Sequence, residues 1–239
     1  MNKILLILPT INEEKNIKIL LKQILKTKIK LDILIIDDGS SDNTLSVINN
    51  LKKKIKKNKI FVKSRKKRLG IGKAHKDGLI HAYSNNYNYA VTMDSDLAHH
   101  PKYIFKLLAY NKKNDLVLGS GFLEKNSSQN YSYFRIFLSN SAFLMTKLLF
   151  NHKFDSTNSF RCYNLRRIKK EFISFCKTDH YDFFFTSLAY LNKKKYSIFQ
   201  FPMKIYGRND GHSKMTLPLA LRSVRMILVV FIKILLLKN

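Results

Sequence analysis

The feature that most constrains this chain is a repeated alternation in its first half. Short apolar runs, "KILLILP" (3–9), "LDILIID" (31–37), "KIFVKS" (59–64), "YAVTMD" (89–94) and "DLVLGS" (115–120), are separated by stretches of helical character. The first of those stretches, 13–27, places Ile17, Leu20, Leu21, Ile24 and Leu25 at helical spacing. The second, 41–55, begins with Ser41 or Asp42 as a helix cap. The third runs from Gly72 to Tyr83, and the fourth from Pro101, in the favoured first turn, to about Tyr110. Apolar runs without polar alternation are strands buried on both faces. Strand and helix in strict turn predict an α/β fold with a mainly parallel sheet and helices on both sides. Such sheets bind ligands beyond the carboxyl ends of their strands. Those ends carry "PTINEE", "DDGSSDNT" and "DSDLAHH".

The second half has another texture. Residues 133–150 form a long helical stretch in which Phe134, Phe137, Leu138, Phe143, Leu144 and Leu148 suit a lipid tail, a bilayer or a core. A polar loop is expected at 154–163, helices at about 165–175 and 180–192, a strand-like run at 196–205 and a basic loop at 206–214. The chain then ends in a strongly apolar helix. Its run from Met226 to Leu237 is 12 residues long and contains Lys233, against about 20 for a membrane span. With Arg222, Arg225 and Lys233 along it, the segment fits a helix lying on a membrane surface, with packing on the core as the alternative. This divides the chain into a domain over 1–215 and a C-terminal amphipathic helix over 216–239. The N-terminus reads as a first strand and not as a signal peptide, since its apolar run is short and charges follow it.

The formal net charge is +28, carried by 35 Lys and 9 Arg. That excess favours a polyanionic partner, whether nucleic acid, anionic lipid or phosphorylated substrate, although much of it can be solvated lysine surface. The cysteines, Cys162 and Cys176, fit no zinc motif and no disulfide framework, which suits a reduced, cytosolic compartment.

Asp94 and Asp96 stand two residues apart after the fourth strand. On one side of an extended segment they repel unless a cation lies between them, and Mg²⁺ or Mn²⁺ held there meets substrate phosphates. In "IIDDGSSDNT" (35–44), Asp38 is a candidate acceptor for nucleobase N–H groups, and Gly39 permits the tight turn. "RLGIGKAHKDG" (68–78) has neither P-loop nor dinucleotide-fingerprint spacing, but a glycine loop entering a helix can approach a phosphate or base closely. His99 and His100 are not spaced as metal ligands and read as the entry to the Pro101 helix.

In order, "LPTINEEKNI", "IIDDGSSDNT", "RLGIGKAHKDG" and "MDSDLAHHP" resemble glycosyltransferase family 2, the inverting nucleotide-sugar transferases of Rossmann-like fold. "MDSDLAHHPKYI", "FDSTNSFRCYNLRRI" and "GRNDGHSKM" are similar to its dolichyl-phosphate (polyprenyl-phosphate) mannosyltransferase branch, and the likeness spans roughly 3–216. The resemblance implies a GT-A type fold. It implies transfer of a sugar, mannose first, from a nucleotide-sugar such as GDP-mannose to polyprenyl or dolichyl phosphate at the cytosolic face of a membrane. A family 2 enzyme acting on a cell-envelope glycan, or using another donor, is the alternative, and a basic nucleic-acid-binding protein is the alternative of a different class. Nucleic acid is not expected as a partner, because the ligand edge carries acids that repel phosphates without a metal.

Position by position, the resemblance puts Pro9, Ile11, Glu13, Ile36 and Asp38 at the nucleoside and makes Asp94 and Asp96 the ligands of Mg²⁺ or Mn²⁺ on the donor diphosphate, with Ser95 beside them. It gives Arg135 a phosphate, and places Arg208, Ser213 and Lys214 on a loop over donor and acceptor. Asp155, Thr157, Ser159 and Arg161 form the second-half wall. Asp94, Asp96, Arg208 and Lys214 are the catalytic candidates, with Arg135 and Arg161 as further cations near the two anionic substrates. The chain departs from the family at Ile11, where Tyr is usual, at Gly121, where Arg is frequent, and at Ala98, where Gln or Ser is found.

Overall fold

The structure is a computed structural model and describes residues 2–55, 58–124, 133–151, 153–206 and 217–237. The alternating half folds as β1 (Ile4–Thr10), α1 (Glu14–Lys26), β2 (Asp32–Asp37), α2 (Thr44–Lys54), β3 (Ile60–Ser64), α3 (Ile71–Ser84), β4 (Tyr89–Thr92), a 3-10 turn at Pro101–Tyr103, α4 (Ile104–Asn111) and β5 (Leu116–Ser120). The second half supplies α5 (Tyr133–Phe150), β6 (Arg161–Asn164), α6 (Glu171–Phe175), α7 (Asp182–Lys193), β7 (Ile198–Pro202) and α8 (Leu217–Leu235). One sheet takes all seven strands in the order β3-β2-β1-β4-β6-β5-β7. Six strands run parallel, and β6 alone is antiparallel, to β4 and to β5.

Both faces of the sheet are covered, so neighbouring residues of one strand enter different cores. Leu5 and Ile7 of β1 pack toward α3, α6 and α7, with Leu79, Phe172, Phe183 and Leu188. Leu6 and Leu8 pack toward α1, α2 and α4, with Ile17, Leu20, Ile48 and Ile104. Burying each such side chain contributes about 1.5–3 kcal/mol. This is why the strands read as unbroken apolar runs.

Three sequence expectations change. The polar loop expected at 154–163 ends in strand β6. The helix expected at 165–175 is one short turn, Glu171–Phe175. The fourth strand stops at Thr92, so Asp94 and Asp96 lie in a loop and not in an extended segment. Leu97 between Asp96 and Ala98 is left-handed, at φ 66°, a cost of roughly 1–2 kcal/mol for a residue with a Cβ.

A third core joins α5, α7 and α8 through Phe150, Phe185, Ala189, Ile227, Val230 and Ile234. The other side of α8 leaves Val224, Leu228, Ile232 and Leu235 exposed. Among the described residues no helix is long and apolar enough to cross a membrane.

Candidate functional site

The carboxyl ends of β1, β2 and β4 lie side by side, and polar side chains stitch the loops that leave them. The Asn12 amide donates to Ser40 Oγ at 2.9 Å, and Asn12 Oδ1 accepts from the Ser41 amide at 2.9 Å. Buried Glu13 accepts from Asn16 Nδ2 at 2.7 Å, and its amide donates to Thr44 Oγ1 at 2.8 Å. Asp42 accepts from the Thr44 amide at 3.0 Å, so it serves the start of α2 without being the residue next to it. Asp37, fully buried, accepts from the Ser40 amide at 3.1 Å and from Ser40 Oγ. It holds the turn in which Gly39 adopts φ +82°.

Asp38 is engaged by the protein itself. Oδ1 accepts from Arg65 Nη1 at 2.6 Å and from the Leu69 amide at 2.9 Å, while Oδ2 accepts from the Gly70 amide at 2.8 Å. Arg65 also donates to Asp77 at 2.7 Å. Burial pushes the Asp77 carboxyl up, but hydrogen bonds from Arg65, Lys73 and Lys63 outweigh it and hold the group below the usual range. The glycine loop therefore wraps Asp38. Gly70 sits at φ +102°, and a Cβ on Gly72 would meet the His180 carbonyl oxygen at 2.4 Å. These glycines allow close approach of the 176–181 segment, whose Asp179 carbonyl accepts from the Lys73 amide at 3.1 Å in the first turn of α3.

The loop after β4 is fixed at several points. Ser95 Oγ donates to the Pro9 carbonyl at 2.8 Å, tying it to the end of β1. Asp96 is buried, and its Oδ1 accepts from the Ala98 amide at 3.1 Å. His99 is buried against Phe160, and its Nδ1 accepts from the Asp94 amide at 3.4 Å. His99 thus shapes the acidic loop, a role beyond helix entry. His100 does cap the next turn, accepting from the Lys102 amide at 3.1 Å. The Tyr206 amide donates to the Ala98 carbonyl at 3.1 Å and brings the segment after β7 to the same loop.

Because β6 is antiparallel, its first residue, Arg161, pairs with the last residue of β4, Thr92. The 155–160 loop therefore reaches the same sheet edge. Asp155 is buried, accepts from Thr157 and from Ser120, and burial pushes its carboxyl above the usual range. Arg161 is fully buried. It donates to the carbonyls of Asn158, Phe184 and Ser156 and to Ser187 Oγ at 2.8–3.2 Å. Its guanidinium braces the loop to α7. The Arg135 side chain, Arg208, Ser213 and Lys214 lie outside the described residues. Pro9, Ile11, Glu13, Ile36, Asp38, Asp94, Ser95 and Asp96 all belong to the edge formed by β1, β2 and β4. Asp182, Arg65, Lys76 and His75 were not singled out from sequence, where an abundance of Lys and Arg and isolated acids and histidines hide such groups.

The sequence profile described as glycosyl transferase family 2 matches residues 5–175. The chain belongs to glycosyl transferase family 2. The match runs from β1 to α6 and so includes the loops after β1, β2 and β4 and the 155–160 loop; the segments at 176–181 and after β7 lie beyond it. Polyprenol monophosphomannose synthase of Mycolicibacterium smegmatis is 27% identical over 214 residues, 89% of this chain and 80% of the relative. Among solved structures, glucosyl-3-phosphoglycerate synthase from Mycobacterium tuberculosis, in complex with phosphoglyceric acid, has a TM-score of 0.66 at 16% identity, covering 100% of this chain and 81% of that one. A mannosyltransferase from Pyrobaculum calidifontis, in complex with GDP-Man and Mn²⁺, has a TM-score of 0.56 at 14% identity, covering 97% and 75%. The fold is the GT-A glycosyltransferase fold, and the protein is a glycosyltransferase of family 2.

Proposed function

We propose that this glycosyltransferase moves a mannosyl group from GDP-mannose to a polyprenyl phosphate at a membrane surface, with inversion. The observation that carries the reading is the acidic loop after β4, set beside the ends of β1 and β2, in a chain similar over 89% of its length to a polyprenol monophosphomannose synthase. The acceptor phosphate is already an anion at neutral pH, so its oxygen attacks the anomeric carbon without a general base while the bond to the nucleoside diphosphate breaks. Asp94 and Asp96 are hard oxygen donors and fit Mg²⁺ or Mn²⁺, which leave most of their coordination shell to water and substrate oxygens. His99 Nδ1 is turned to the Asp94 amide and leaves that role to the carboxylates. When bound, the cation would neutralise charge on the departing diphosphate. Asp38 and Glu13 would order the nucleoside side, and Arg135, Arg208 and Lys214 would supply the cations that bring two anions together.

Support for a surface location comes from α5 and α8. Phe137, Leu144 and Leu148 are exposed on the first, and Leu228, Ile232 and Leu235 on the second. Neither helix carries an acidic residue, and Arg222, Arg225 and Lys233 are exposed. Basic groups near an anionic, cytosolic leaflet contribute about 1 kcal/mol each.

A second reading, transfer to a sugar hydroxyl, draws on Asp182. This carboxyl is buried at the start of α7, its Oδ2 has no hydrogen-bond partner among the described residues, and burial pushes it above the usual range. A hydroxyl acceptor needs such a base. The test is transfer from labelled nucleotide-sugars to polyprenyl phosphate in vesicles, with and without Mn²⁺. Expected are mannosyl transfer, its loss on chelation, a fall of roughly a hundredfold or more in Asp96→Ala and little change in Asp182→Asn. No transfer from any donor, with Asp96→Ala binding donors like wild type, refutes the main reading. Transfer to a glycan hydroxyl that disappears in Asp182→Asn selects the second.

A further inference from the structure

The Asp38 carboxylate is built into a chain of contacts that leaves the strand ends and crosses the molecule. Its Oδ2 accepts from the Gly70 amide. A Cβ on Gly70 would stand 2.4 Å from the Asp179 carbonyl oxygen, and one on Gly72 would stand 2.4 Å from that of His180. Both obstacles are backbone, which cannot swing aside as a side chain can. Lys76, one turn further along α3, donates to the Cys176 carbonyl at 3.1 Å and pairs with Asp179 Oδ1 at 2.6 Å. Residues 176–181 therefore lie as a strap on the first turns of α3, directly against the loop that holds Asp38.

The far end of the strap is also held. α7 begins at Asp182, and Arg161 donates to the Phe184 carbonyl and Ser187 Oγ in its first turns. The same guanidinium holds the Ser156 and Asn158 carbonyls, and Asn158 Nδ2 donates to the Gly119 carbonyl at the end of β5 at 2.8 Å. Contacts among packed backbone, hydrogen bonds and a buried guanidinium carry displacement with little slack.

We propose that the 176–181 strap is a positioning element that sets the Asp38 carboxylate and joins the nucleoside side of the site to the wall at 155–161. The inference rests on the reading that Asp38 orders a nucleoside. The residues that impose it are Gly72 and Lys76, whereas the groups that hydrogen-bond Asp38 are Arg65 and the Leu69 and Gly70 amides. Their substitution alters nucleotide affinity through the Leu69 and Gly70 amides. The Lys76–Asp179 pair is partly open to solvent and has a modest share; the glycine contact has the larger one.

The experiment is calorimetric titration of the whole protein with GDP and with UDP, each with Mn²⁺, alongside urea unfolding without nucleotide. Gly72→Ala is expected to weaken nucleotide binding about tenfold and Lys76→Met about threefold, with Lys76→Arg close to wild type. Asp38→Asn weakens binding by itself, and adding Lys76→Met to it has no further effect, because the strap acts through that carboxylate. A purely structural strap would lower the unfolding midpoint and leave the dissociation constant of the folded protein unchanged. If Gly72→Ala does not fold, Lys76→Met and its arginine rescue decide alone. Wild-type affinity in folded Lys76→Met, with Asp38→Asn impaired, overturns the strap and leaves the functional reading standing. Absence of nucleotide binding in wild type, or wild-type affinity in Asp38→Asn, overturns both.

Discussion

Arg65, half-buried with its side chain 6% exposed, and Arg161, fully buried, stand one in each half of the molecule and are satisfied in opposite ways. Arg65 lies between two carboxylates, Asp38 and Asp77. Among the described residues, Arg161 hydrogen-bonds to carbonyl oxygens and a hydroxyl, and its guanidinium lies over the Phe184 ring. The surroundings follow suit. In the first half, cations hold Asp77 below the usual carboxylate range. In the second, burial raises Asp155 and Asp182 above it. The Oγ of Ser159, the Oγ1 of Thr186 and both nitrogens of His75, which reaches α7 from α3, are buried without hydrogen-bond partners among the described residues. Charge is thus neutralised locally at the β1–β2 edge. Around β6 and α7 it is dispersed over backbone dipoles, which makes that region the more costly one to disturb.

Arg161→Met is the severest test of this contrast. It strands Ser156, Asn158, Phe184 and Ser187 acceptors together, and urea unfolding is expected to show a loss of about 3–5 kcal/mol. Arg65→Met should cost less, about 2 kcal/mol, since Asp38 keeps two backbone donors and Asp77 keeps two lysines. An equal or larger loss at Arg65 would break the comparison.

His75 offers a test by pH. Its ring packs on Phe183 and Phe184, and burial first, with the charge of Arg161 second, lowers its pKa to about 3. The unfolded chain then binds a proton between the ordinary histidine value and that one, while the folded protein does not. Stability accordingly falls as pH drops through this window, by up to about 1.4 kcal/mol per pH unit. His75→Leu should flatten that slope in unfolding curves measured between pH 6.5 and 4; an unchanged slope would assign it to other groups. Ser40→Ala has the smallest expected effect, about 1 kcal/mol, from losing its contacts to Asp37 and the Asn12 amide. Its measure is the shift in thermal midpoint.

Much of the first half was legible in the sequence, because a strand buried on both faces has to be apolar throughout and a helix has to show its stripe. Strand β6 was not. Its "RCYN" holds a buried arginine whose partners are distant backbone carbonyls, and nothing in local pattern marks such a residue as interior. The acidic pair lies at the sheet edge that the sequence indicates, but not in an extended segment, since the strand ends at Thr92 and Asp96 turns back on the Ala98 amide. From sequence the glycine loop reads as a way to approach a ligand. Its glycines make room for residues more than 100 positions later, and that need is visible only when both segments are seen together.

The single antiparallel strand also orders the assembly of the molecule. β4 and β5 are not neighbours; β6, encoded some 40 residues after β5 ends, stands between them. During synthesis, β3-β2-β1-β4 can close as a sheet while β5 has nothing to pair with. Until Arg161–Asn164 emerges, the backbone edge of β4 stays open, and open edges recruit other chains. A fragment ending near residue 150 therefore carries most of the acidic site and an adhesive flank beside it. Soluble yield should rise steeply once expressed fragments extend past β6 and β7.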